Sequence, residues 1–122
     1  MLGMENFFSG RIEEKLADQE YLVRIHSQRL RATGMSDHAL GEEVILGIRA
    51  EHIMLRDAKD TDVENLIVSE AVEWQRQPLW QRFVTAAPFS LQGRFLAQDR
   101  RDPPRTLYLQ LPAERLRLWK KE

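Results

Sequence analysis

Cysteine is absent from this 122-residue sequence. That removes disulfides, thiolate nucleophiles and cysteine-ligated zinc, and it fits a cytoplasmic protein. Net charge is nearly absent as well, with 18 basic residues against 19 acidic ones. Nothing electrostatic therefore points to a nucleic acid or an anionic membrane as partner. No apolar run approaches the length of a membrane span, and the N-terminus lacks the basic-then-apolar layout of a signal peptide. No glycine-rich loop leads into Lys-Ser or Lys-Thr, so there is no nucleotide cradle. No serine or threonine sits in a nucleophile elbow. The paired carboxylates Glu13-Glu14 and Glu42-Glu43 are sequence neighbours, which strands point to opposite faces. Enzyme activity is not expected of this chain.

The residues that are present build a core. A composition of 43% hydrophobic and 30% charged side chains belongs to a globular chain rather than a disordered one. Its length fits one domain, or two halves too small to be comfortable alone. Residues 1–61 carry 8 basic and 11 acidic side chains, and residues 62–122 carry 10 and 8. Met4 offers a second methionine close to the first, which leaves open that the chain is a piece of something longer.

The sequence also says nearly the same thing twice. Asn6-Phe7-Phe8-Ser9-Gly10-Arg11-Ile12-Glu13-Glu14 returns as Asn65-Leu66-Ile67-Val68-Ser69-Glu70-Ala71-Val72-Glu73, and Val44–Leu55 returns as Leu107–Leu118. Two blocks in the same order at nearly the same offset indicate an internal duplication. The halves run over approximately 3–60 and 62–120, together forming one module over 1–122. A doubled scaffold suits a paired binding or interaction module better than an active site.

Short apolar or alternating runs predict strands at Tyr21–His26, Val44–Ile48, Ile53–Leu55, Gln81–Thr85, Leu107–Leu111 and Leu116–Trp119. Thr33-Gly34, Leu40-Gly41, Pro88 and Gln92-Gly93 read as breaks between them. Val63–Trp74 has near-helical apolar spacing, and Asp62 could cap a helix. Its counterpart Phe7–Lys15 contains Ser9-Gly10, which are poor helix-interior residues, so the repeat argues for strand in both. Many short strands laid out twice predict an all-β fold, as small barrels or one barrel built from two halves.

Leu2-Gly3-Met4-Glu5-Asn6-Phe7-Phe8-Ser9-Gly10-Arg11-Ile12, then Gly41-Glu42-Glu43-Val44, then Leu46-Gly47-Ile48-Arg49-Ala50-Glu51-His52-Ile53-Met54-Leu55 resemble the TOBE domain. That domain is the regulatory module at the C-terminus of many ABC-importer ATP-binding subunits and is related to molybdate-binding mop domains. Ala50 replaces the family's usual proline, and Pro112 in the second copy lacks the arginine before it. The resemblance implies an OB-fold-like β-barrel built from both repeats. It implies a homodimer in contact with the nucleotide-binding domain and permease of a transporter, at the inner face of the cell membrane. ATP and Mg would belong to the parent subunit, with no cofactor in this segment. Relatives that bind molybdate or tungstate carry a serine-alanine-arginine-asparagine run at the start of each repeat. Here Gly3-Met4-Glu5-Asn6 and Asp62-Val63-Glu64-Asn65 stand instead, and a glutamate in place of arginine repels a dianion.

Asn6, Arg49, Glu51, Asn65 and Arg115 are the candidate ligand- or effector-binding residues. For the asparagines, the plainer reading is that they start strands and satisfy local backbone groups in a turn. For Arg49 and Glu51 it is that they fix the turn before a closing strand. His26, His38 and His52 are poor metal candidates, although His38 can be drawn with Asp37, Glu42 and Glu43. Trp74, Trp80, Phe83, Phe89 and Phe95, interleaved with Arg76, Arg82, Arg94, Arg100 and Arg101, could form a stacking platform for single-stranded nucleic acid. A core plus a protein-contact surface explains them more simply. Gln98–Arg105 reads as a solvated loop. The leading expectation is an accessory domain that holds two transport ATPase subunits together, and the alternative is an oxyanion-binding sensor module.

Overall fold

The computed structural model describes residues 6–57, 62–96 and 105–121. Glu5, the N-terminal methionines, Arg100, Arg101 and most of the Gln98–Arg105 loop lie outside the described residues. The described residues form eleven strands and one 3-10 turn. The first half holds β1 (Asn6–Ala17), β2 (Glu20–Ile25), β3 (Gln28–Gly34), β4 (Glu43–Ile48), the turn Ala50–His52 and β5 (Met54–Arg56). The second half holds β6 (Leu66–Ser69), β7 (Ala71–Arg76), β8 (Trp80–Thr85), β9 (Leu91–Leu96), β10 (Leu107–Gln110) and β11 (Arg117–Lys120).

The pairing shows what the duplication does. A closed barrel runs β1-β2-β3-β11-β4, so the first half is completed by the last strand of the second. In return β5, the closing strand of the first half, pairs with β10 in the sheet β5-β10-β6. A third sheet, β7-β8-β9, belongs to the second half alone. Each half thus lends its closing strand to the other. β11 seals the first barrel by running antiparallel to β4 and parallel to β3.

The corner of β1 explains Ser9-Gly10. Residues Asn6–Arg11 pair with β4, and from Arg11 onward the strand pairs with β2. A Cβ on Gly10 would lie 2.6 Å from Val23 Cγ1 and 2.9 Å from Leu46 Cδ1. Glycine lets the strand press into the corner between its two neighbours. In the second half the same corner falls at Glu70, where β6, paired with β10, gives way to β7, paired with β8. Val63–Trp74 is accordingly extended from Leu66 onward, as the repeat predicts, while Val63 and Glu64 lie in the preceding turn.

Two breaks assigned from the sequence fall inside strands. Thr33-Gly34 ends β3, and Gln92-Gly93 lies within β9. Gly93 is there because the Phe83 ring packs flat against its backbone, with Phe83 Cζ 2.0 Å from where a Cβ would stand. The core is one continuous cluster. Tyr21, Val23, Leu30, Leu46 and Leu118 fill the first barrel, while Ile67, Phe83, Leu91, Leu107 and Leu109 fill the second half. Trp74 and Phe95 pack on Phe83, with ring centroids 5.7 and 6.4 Å away. That places these aromatic residues in a core edge rather than on an open platform. No helix among the described residues is long and apolar enough to cross a membrane.

Candidate ligand site at the seam between the repeats

Asn6 and Asn65 begin the two repeats, and both are buried. The Asn6 amide donates to the carbonyls of Ile48 (3.2 Å) and Gln92 (2.9 Å), and its oxygen accepts the Gln92 N–H (2.6 Å). The Asn65 amide donates to the carbonyls of Leu111 (2.8 Å) and Arg31 (2.7 Å), and its oxygen accepts the Arg31 N–H (2.8 Å). Asn6 therefore fastens the end of β4 to β9 of the opposite half, and Asn65 fastens the residue after β10 to β3. Both amide protons are engaged in each case. The backbone groups they satisfy are 34 to 86 residues away, so the local-turn expectation understates their reach. Asn65 also takes a left-handed conformation, φ 58°, which asparagine tolerates well.

Arg49 and Glu51 flank the entry to the 3-10 turn between β4 and β5. Arg49 Nη1 lies 3.7 Å from Glu51 Oε1, and Glu51 Oε2 lies 3.7 Å from Arg94 Nη2 on β9. The matching turn in the second half makes the same crossing, where Thr33 Oγ1 donates to the Ala113 carbonyl (3.0 Å) on the way to Arg115. His52 and Arg115 occupy corresponding places in the two copies. Burial lowers the His52 pKa, the Arg115 charge lowers it further with a smaller push from Arg49, and Glu51 opposes them. The charges that reach His52 are thus those of Arg115, Arg49 and Glu51.

The duplicated asparagine clamps fix which groups correspond on either side of the seam. Arg31, opposite Leu22 in β2, matches Gln92, opposite Val84 in β8. One cross-strand step away, Glu20 and Thr33 face each other in the first half, and Arg82 and Arg94 do so in the second. The first-half guanidinium is occupied from within. Arg31 Nη2 meets Glu20 at 2.5 Å, and Arg31 Nη1 meets Glu64 at 3.0 Å. The glutamate that stands for arginine at position 64 is therefore spoken for by a guanidinium, which its sequence position did not reveal. In the second half, Arg82 donates to the neutral Gln92 amide oxygen at 2.5 Å. The Arg94 guanidinium lies over the Trp80 ring, 5.8 Å from its centroid. Together with Gln75 and Gln77 these residues line a groove of about 490 Å³, within the range of small-molecule sites.

The histidine cluster does not assemble as drawn. His38 is buried with Nδ1 on the Glu42 carboxylate, whereas Asp37 turns to Lys15 and Glu43 to Arg11. No group of three metal-ligating side chains occurs among the described residues. A smaller groove of about 290 Å³ over Ser9 and Gly10 is lined by Arg11 and Arg24, but these already pair with Glu43 and Glu13. The residues that sequence reasoning missed as a site are Arg82, Gln92 and Gln75. Arg82 and Arg94 had been grouped with the aromatic residues, and only the strand register brings them face to face.

No family model matches this sequence, and no curated protein matches it by sequence. Among solved structures, the molybdate-bound crystal form of the cytoplasmic molybdate-binding protein ModG is similar over 98% of this chain and 99% of its own, with a TM-score of 0.82. Sequence identity is 13%, so the likeness is one of fold: an all-β, OB-like barrel architecture.

Proposed function

We propose that this chain is a binding module for a small oxyanion of the molybdate or tungstate type, held at the seam between its two repeats. The observation that carries the reading is end-to-end similarity of fold to ModG, over 98% of this chain and 99% of that one. The chemistry of the seam supports it. Arg49 and Arg94 each lie 3.7 Å from Glu51 where the turn after β4 meets β9, and the charges of Arg115 and Arg49 reach the neighbouring His52. Guanidinium forks suit oxyanions because their parallel N–H groups match paired oxygens. Of the two carboxylates that stand where arginine would help, Glu64 is ion-paired with Arg31, which Glu20 also holds, rather than aimed at empty space.

A second reading, an accessory domain of an ABC-importer ATPase that self-associates and contacts a nucleotide-binding domain and permease, is favoured by a different observation. The residues that resemble the family, Gly47-Ile48-Arg49-Ala50-Glu51, run from the end of β4 into the turn that hands β5 to the other repeat. Phe7, Met54 and Val68 also leave apolar surface exposed for a partner.

Calorimetric titration with molybdate, tungstate and sulfate separates the two. The oxyanion reading expects saturable binding of molybdate or tungstate with whole-number stoichiometry and no comparable uptake of sulfate. Flat titrations with all three anions leave the accessory-domain reading in possession.

A further inference from the structure

We propose that the outer wall of the first barrel carries an anion site separate from the seam, in which Arg11, Arg24 and Arg29 receive the phosphoryl dianion of a small molecule or of inorganic phosphate.

The strand register sets the three arginines in one row. Arg11 on β1 stands opposite Arg24 on β2, and Arg24 stands opposite Arg29 on β3. Residues directly opposite are about 5 Å apart at Cβ, and like charges so placed destabilise a sheet. Two carboxylates answer the three guanidiniums. Glu43 continues the row on β4 and lies 2.8 Å from Arg11, whose other terminal nitrogen donates to the Gly41 carbonyl at 3.0 Å. Glu13 serves two arginines at once, 2.6 Å from Arg24 Nε and 3.0 Å from Arg29 Nε. Neither of those guanidiniums makes a hydrogen bond among the described residues. One glutamate thus positions two guanidiniums while cancelling a single charge, and their terminal N–H groups remain for an oxyanion.

The duplication shows that strand pairing does not require this row. Two residues along from the matched positions Leu22 and Val84, Arg24 corresponds to Ala86. Two residues back from Arg31 and Gln92, Arg29 corresponds to Ser90. Arg11 corresponds to Glu70 in the repeated block. The second half builds the same corner with one acid and two small residues in these places. A row of like charges that the scaffold does without is better explained by a ligand of opposite charge.

Beside the row lies the groove of about 290 Å³, which Arg11 and Arg24 line together with Ser9, His26, Glu43 and Lys121. Its size is close to the lower end of small-molecule sites and suits a phosphoryl group with a few attached atoms. The exposed Ser9 hydroxyl adds a donor. His26 sits in the β2–β3 turn at φ 55°, and its ring stacks on the buried Phe89 of the other half at 6.2 Å and 18°. That brace fixes one wall. Glu43 is the groove's carboxylate among the described residues, and Arg11 holds it. Lys121 adds a cation, but its neighbour Glu122 lies outside the described residues, so Lys121 is not counted.

The test titrates the full chain with glycerol 3-phosphate and with inorganic phosphate by calorimetry, with glycerol as the uncharged control. It compares the wild type, Arg24→Gln and Arg117→Gln, an arginine on β11 outside the row, with each fold checked by circular dichroism. Arg29→Gln substitutes if Arg24→Gln fails to fold. The expected results are one saturable equivalent per wild-type chain, a loss of affinity of roughly tenfold or more in Arg24→Gln, and wild-type affinity in Arg117→Gln. Tighter binding of the ester assigns the site to a phosphorylated small molecule, and binding no weaker for free phosphate assigns it to the inorganic anion. Flat titrations of the wild type, comparable heat from glycerol, or wild-type affinity in Arg24→Gln overturns the proposal. So does an equal loss in Arg117→Gln, which would make the attraction diffuse. A single-stranded oligonucleotide that binds far more tightly than either phosphate overturns the small-ligand assignment. Tungstate uptake is expected to be unchanged in Arg24→Gln, and its loss there overturns the separation of the two sites. Tungstate uptake absent from every protein defeats the seam reading alone, since the phosphate titrations decide this one.

Discussion

At the scale of single residues, burial decides which seam positions hold the fold and which are free for ligand chemistry. Asn65 makes three hydrogen bonds to backbone groups of β3 and of the residue after β10, and its truncation strands the Arg31 N–H and the Arg31 and Leu111 carbonyls. Unsatisfied buried groups cost more than the bonds they lost, so Asn65→Ala should destabilise by about 2–4 kcal/mol in urea unfolding. Glu51→Gln makes the contrast. Its ion pairs are long and half-exposed, and a change within about 0.5 kcal/mol is expected. Equal losses in the two variants would refute the clamp. His52 carries the pH dependence. Burial and Arg115 hold its pKa below the ordinary 6.5, so the folded state resists protonation more than the unfolded chain does. Its contribution is present above about pH 6.5 and is lost as pH falls through the lowered midpoint. Arg115→Gln should move the His52 midpoint upward in an NMR titration. A midpoint unmoved by that substitution would mean that Arg115 does not set the field at the seam.

At the scale of elements, the sequence revealed strands wherever apolar residues gathered and lost them where turns lacked their usual signs. β4, β8 and β10 are legible because Val44–Ile48, Gln81–Thr85 and Leu107–Gln110 are nearly continuous apolar or alternating runs. β3 was missed. It buries only Leu30, Ala32 and Gly34 and shows arginines on its other face, and the hairpin before it turns at His26, φ 55°, with no Asn-Gly or Asp-Gly to announce it. β9 was missed because Gly93 looks like punctuation in sequence and is a packing requirement in space. The duplicated blocks overruled helical periodicity at Val63–Trp74, correctly, since a repeat ties an ambiguous segment to one whose Ser9-Gly10 excludes a helix. The candidate site was legible only in part. Asn6 and Asn65 stand out as repeated residues, but the facing of Arg82 and Arg94 and the capture of Glu64 by Arg31 depend on register, which a single sequence does not display.

At the scale of the whole molecule, the exchange of closing strands makes the two halves one folding unit. The first barrel closes only when β11 inserts between β3 and β4, bringing Leu118 into a core where it is 1% exposed. β10 in turn needs β5 on one edge. A first half expressed alone, ending after β5, lacks that strand and exposes the edges of β3 and β4. It has one remedy, since its own β5 corresponds to β11 by the repeat, and two copies could exchange β5 as the natural halves exchange β5 and β11. The expected outcome is therefore that neither half folds as a monomer. The first half should be unfolded or dimeric, and the two halves mixed together should form a one-to-one complex with the far-UV spectrum of the intact chain. Sedimentation equilibrium distinguishes these states. A stable, cooperatively unfolding monomer of either half would show that the exchanged strands are ornament and that the seam does not hold the molecule together. A one-to-one complex would make the seam a joint in the energetic sense. A ligand bound across the seam would then add its binding free energy to the association of the halves, so tungstate would tighten the mixed complex as well as bind it.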